Sequence, residues 1–66
     1  MAQREVLFEF IRVGNSVKVS AFDTQTLTEV SIVGHPGVSQ DRLKALALQR
    51  LEYVLKKKRA AKGDGR

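Results

Sequence analysis

Two strand-like runs separated only by Gly14-Asn15 constrain this chain more than any other feature. Residues 5–13 read E-V-L-F-E-F-I-R-V and residues 16–22 read S-V-K-V-S-A-F. Both are rich in β-branched and aromatic side chains, which suit a pleated, half-buried surface. A two-residue link forces the chain straight back on itself, and glycine and asparagine both tolerate the positive φ that tight hairpin turns need. The first third of the chain is therefore expected to be an antiparallel hairpin.

An isolated hairpin is marginal in water, so more structure must cover it. The segment Asp23-Thr24-Gln25-Thr26-Leu27 reads as the next turn, with Asp23 able to bond the backbone ahead of it. Residues 28–33, T-E-V-S-I-V, form the third strand. Alternation puts Val17, Val19 and Ala21 on one face, with Val30 and Ile32; Lys18, Ser20, Glu29 and Ser31 point the other way. In the first strand Val6, Phe8 and Phe10 turn inward, so that Glu5 and Glu9 meet water. This leaves Leu7 and Ile11 on the outer face, beside Phe22 and Val33, as a candidate interface.

Gly34-His35-Pro36-Gly37 ends the sheet as a loop. Ser39 stands where a helix N-cap belongs, and Asp41 falls in the first turn, where the helix dipole favours negative charge. Residues 40–59 are strong helix formers without glycine or proline. Leu43, Ala47, Leu51 and Val54 make one stripe at 100° per residue; Leu48 and Leu55 widen it on one side, Leu46 and Tyr53 on the other. The resulting arc is wider than a single sheet covers. Leu48 and Leu55 therefore join Leu7 and Ile11 as candidate interface residues.

The expected architecture is α+β: a three-stranded antiparallel β-meander followed by one long C-terminal helix packed on one sheet face (βββα). Residues 1–59 form a single domain and residues 60–66 a flexible basic tail. A chain of 66 residues buries only roughly 60% of the surface its unfolded form exposes, so the core is marginal. With no cysteine and one histidine, His35, neither disulfides nor a thiolate or histidine metal site can reinforce it. Extra stability is expected from a homodimer or a protein partner. Lack of cysteine, of a secretion signal and of an apolar run near the roughly 20 residues of a membrane span points to a cytoplasmic protein without membrane contact.

Charge is placed unevenly. Residues 1–41 carry three basic and five acidic side chains; residues 42–66 carry nine basic and two acidic ones. The basic residues Lys56, Lys57, Lys58, Arg59 and Lys62 are the candidate polyanion-binding set, able to neutralise nucleic-acid phosphates in a salt-dependent, sequence-blind way. As a plain helix end they would instead complement the dipole and keep the chain dissolved.

Catalytic chemistry finds little footing. His35 has only Ser31 and Ser39 nearby in sequence, in no nucleophile–base arrangement. Glu9 and Glu29 share the outer face with Lys18, which suggests cross-strand charge pairing rather than an acid–base pair. The Gly34–Gly37 loop lacks the spacing of a phosphate-binding loop. We expect no enzyme activity, no cofactor and no small-molecule substrate.

The runs F-E-F-I-R-V-G-N-S-V-K-V-S-A-F-D and T-E-V-S-I-V-G, followed by L-E-Y-V-L-K-K-K, resemble a family of short uncharacterised alphaproteobacterial proteins over residues 5–58. Some members carry a serine hydroxymethyltransferase label, but this chain has neither the size nor a lysine placed for pyridoxal phosphate chemistry. Leu43-Lys44-Ala45-Leu46-Ala47-Leu48 is more weakly similar to the final helix of double-stranded RNA-binding domains, whose closing elements are also βββα. Here the first helix of that family has no counterpart, and Gln40 and Asp41 stand where it carries a lysine pair. The expected function is that of a small non-catalytic interaction module, self-associating and binding a protein partner. The alternative is a nucleic-acid-binding accessory protein using the basic helix end.

Overall fold

The computed structural model describes the backbone of residues 5–64 and the side chains of residues 5–58. Three strands, β1 (Val6–Val13), β2 (Ser16–Asp23) and β3 (Thr28–Gly34), precede one helix, α1 (Gln40–Asp64). The sheet is antiparallel in the order β1-β2-β3, and α1 packs across one of its faces, as the sequence predicts.

Each reversal has a local cause. Gly14 sits at φ +58° while Asn15 stays out of the left-handed region, the pattern of a type II′ turn, and Val13 pairs directly with Ser16. At the second turn Asp23 is fully buried, and its two carboxylate oxygens accept from the Gln25 backbone N–H at 3.1 Å and the Thr26 hydroxyl at 3.2 Å. Those bonds fold the chain toward β3, and Leu27 completes the turn at φ +57°. Ser39 caps α1 as expected: its Oγ accepts from the Arg42 N–H at 3.2 Å, and its carbonyl takes the first helical bond, from the Leu43 N–H.

The helix does not stop near Arg59. It continues to Asp64, through the first five of residues 60–66. Ala60, Ala61 and Lys62 are good helix formers, and no proline or capping glycine intervenes before Gly63. At 25 residues α1 is about 37 Å long, against about 27 Å for an eight-residue strand. Its basic end therefore outruns the sheet.

The core is made by Val19 and Ala21 of β2 against Leu43, Ala47, Leu51 and Leu55 of α1. Full burial of Leu51 alone is worth roughly 2–3 kcal/mol. At the start of α1 the approach is close: a Cβ added to Gly34 would collide with the buried Leu43 side chain. Glycine is what lets the helix sit down on β3. The helix lies over β3 and β2, not over β1. In consequence Val6, Phe8 and Phe10 on the inner face of β1 are only half-buried, although they face the core as the alternation predicts. Among the described residues no helix is long and apolar enough to cross a membrane.

Candidate functional site

Of the five candidate cations, Lys56, Lys57 and Lys58 are exposed at the end of the sheet; Arg59 and Lys62 lie on α1, their side chains outside the described residues. Lys57 and Arg50 lie over the Tyr53 ring, their charged groups 5.7 and 5.9 Å from its centroid. Tyr53 is thus an exposed aromatic face between two cations, held there because residues 50, 53 and 57 share one side of a helix.

Lys58 is different. Its ammonium donates to Thr28 Oγ1 at 3.1 Å, and Thr28 Oγ1 lies 2.9 Å from Thr26 Oγ1, which lies 3.2 Å from Asp23 Oδ2. A hydroxyl has one proton to give. With Thr26 giving its own to the carboxylate, Thr28 supplies the one between the hydroxyls. The result is a chain from Lys58 through two threonines to buried Asp23, which ties the basic end of α1 to the β2–β3 turn. One of the five candidate cations is therefore already engaged within the fold.

The apolar candidates divide. Leu7 and Ile11 are 51% and 42% exposed on the outer face of β1, and Val13 continues their row. Leu48 and Leu55 are not where the sequence put them. Leu55 lies in the core, only 7% exposed, and Leu48 is half-buried against it. The helix is rolled so that its Lys44–Leu48 side leans toward β1, with the Lys44 ammonium 5.2 Å over the Phe8 ring. The leftover apolar surface lies on the opposite flank. There Ile32, Val33, Leu46, Gln49, Arg50 and Tyr53 line an open groove of about 550 Å³ beside β3. Arc width alone could not tell which flank would be covered. Val13, by contrast, was open to detection as the next residue in the Leu7–Ile11 alternation.

The backbone of β1 adds a second feature. The Thr24 N–H bonds to the Glu5 carbonyl at 3.1 Å, which extends the β1–β2 ladder by one pair. Residues of a strand alternate in the side to which they direct N–H and C=O. Glu5 and the odd-numbered residues of β1 thus bond to β2, whereas Val6, Phe8, Phe10 and Arg12 direct theirs to the open edge. The ladder runs from Val6↔Asp23 to Val13↔Ser16 without a bulge, and β1 contains no proline and only two charged residues, Glu9 and Arg12. Natural edge strands are usually blunted by such devices.

The outer-face charges do not form the expected compact cluster. Lys18 lies directly between Ile11 and Val33, Glu9 sits one row away opposite Ser20, and Glu29 is a further row off opposite Phe22. The exposed His35 accepts the Gly37 N–H on Nδ1 at 3.0 Å while its carbonyl accepts the Val38 N–H, so it shapes the loop into α1. Among the described residues, no group of three or more histidine and acidic side chains is placed to hold a metal ion.

A family model described as "Domain of unknown function (DUF6898)" matches residues 3–58, from just before β1 to the Lys58 tie. Neither the curated proteins nor the solved structures include a significant match to this chain.

Proposed function

The chain belongs to the DUF6898 family, whose description assigns no activity, and we propose from its own surfaces that it is a non-catalytic interaction module, self-associating and binding a protein partner. The observation that carries this reading is the grouping of its exposed large apolar side chains. Leu7, Ile11 and Val13 lie together on β1, and Val33, Leu46 and Tyr53 lie together beside β3. Single exposed apolar residues are ordinary, but two such groups on a three-stranded fold are a substantial part of its surface. The β3 groove is edged by Arg50 and Lys57, which suits a partner segment that combines apolar and acidic side chains. We place the module in the cytoplasm, where a cysteine-free chain forgoes nothing.

Sedimentation velocity across the micromolar range tests the self-association directly. The reading expects a mass of twice 7.4 kDa or more that falls on dilution. A folded monomer at every concentration would refute that half of it.

The alternative reading, a nucleic-acid-binding accessory protein, is supported by the exposed Lys56 and Lys57 at the end of a helix that outruns the sheet. It expects labelled duplex or single-stranded nucleic acid to bind at about 50 mM salt and to be released steeply toward 200 mM. Absence of binding at the lower salt would leave the basic end as a solvated helix terminus.

A further inference from the structure

We propose that β1 is the self-association site: two copies pair their β1 strands antiparallel about a two-fold axis at Phe10, joining two three-stranded sheets into one of six strands. This rests on the self-association proposed above and goes further, to the surface and its register. Val6, Phe8, Phe10 and Arg12 present a ready-made row of backbone donors and acceptors. A second copy of the same strand satisfies it without any other molecule, because antiparallel pairing about a two-fold axis is self-complementary.

The side chains select the register. Residues directly opposite one another share a face, so the axis passes through a residue, and near the middle of β1 that residue is Phe8, Glu9, Phe10 or Ile11. An axis at Glu9 sets two carboxylates against each other in a non-hydrogen-bonded pair, where Cα atoms are only about 4.5 Å apart, and like charges there are destabilising. An axis at Phe8 pairs only residues 6–10 of β1, and one at Ile11 only residues 9–13. An axis at Phe10 pairs residues 7–13. It sets Leu7 against the second copy's Val13 on the outer face, Glu9 against Ile11, and the two Phe10 rings side by side on the inner face. The Phe8 ring then lies opposite Arg12, whose aliphatic stem covers it. Along the outer face Glu9 comes to lie one strand from Lys18 of the other copy, since Ile11 separates them. Pairing also shelters both apolar faces of β1, including the Val6–Phe8–Phe10 row that α1 leaves half-covered.

The other sheet edge is a poorer site for a second copy. β3 directs only Glu29, Ser31 and Val33 outward, and the flank of α1 above it carries Arg50 and Lys57 around Tyr53.

Four variants, read by sedimentation velocity with circular dichroism as the check on folding, test the proposal. Arg12→Pro removes an N–H that faces the open edge and leaves the β1–β2 ladder its bonds, so it should be folded and monomeric. Ile11→Glu should weaken the dimer by roughly tenfold or more, because it faces Glu9 twice across the axis. Adding Glu9→Lys to Ile11→Glu should restore association, a rescue that no other register provides. Leu46→Asp, in the β3 groove, should leave the dimer intact. A wild-type dimer indifferent to the β1 changes but broken by Leu46→Asp would overturn the β1 assignment while sparing self-association. A wild-type monomer throughout would overturn both.

Discussion

The ammonium of Lys58 lies 3.1 Å from the hydroxyl of Thr28, thirty residues earlier in the chain, and fastens the far end of α1 to the first residue of β3. The bond separates Lys58 from Lys56 and Lys57, which sequence alone treats as equals. Lys58→Ala should lower stability in urea by about 0.5–1.5 kcal/mol, the net worth of a part-buried hydrogen bond. Lys56→Ala should stay within about 0.5 kcal/mol of wild type, as exposed substitutions generally do. Equal losses in the two variants would show that the tie contributes nothing.

Asp23 anchors the other end of that chain. Fully buried, it accepts from Gln25 and Thr26, so Asp23→Ala strands a backbone N–H and a hydroxyl. Gln25 and Thr26 are themselves exposed, so water takes over part of each bond and the loss should be about 0.5–1.5 kcal/mol per bond. Asp23→Asn keeps one acceptor and should cost less. Chemical denaturation of both variants ranks them.

Leu27 points the other way, toward a stabilising change. It is 74% exposed and held at φ +57°, a conformation that costs a side chain bearing a Cβ roughly 1–2 kcal/mol. Leu27→Gly removes that strain and gives back part of the gain as unfolded-chain entropy. A net rise of about 0.5–1 kcal/mol should appear as a higher melting temperature.

At Gly34 the constraint is space rather than φ. Its neighbour Leu43 is buried and has little room to rotate away, so Gly34→Ala must push α1 off β3 or force a poorer rotamer. A loss of about 1–3 kcal/mol is expected, in line with overpacking of a filled core. An unchanged denaturation midpoint would mean that the helix end yields freely.

Much of this fold can be read from its residues. The Gly14-Asn15 reversal, the alternation of β2 and the Ser39 cap act through local geometry, and local geometry is written in sequence. What could not be read depends on how α1 rolls and where it lies. Leu48 and Leu46 flank the stripe symmetrically; only the displacement of the helix toward β3 half-covers the first and exposes the second. The same displacement leaves the inner face of β1 half-covered. The Lys58–Thr28–Thr26–Asp23 chain likewise joins elements whose approach no periodicity encodes. For the candidate site, Leu7 and Ile11 were legible from alternation, whereas the role of β1 as an open edge required the sheet order.

Amide hydrogen exchange along β1, resolved by NMR at several protein concentrations, tests the central claim most directly. Pairing about Phe10 predicts that the Phe8, Phe10 and Arg12 amides are protected at high concentration and lose that protection on dilution. Val6, beyond the paired stretch, exchanges rapidly throughout, and the odd-numbered amides bonded to β2 stay protected whatever the concentration. Rapid, concentration-independent exchange at Phe8, Phe10 and Arg12 would contradict the account and leave the β1 edge open to solvent.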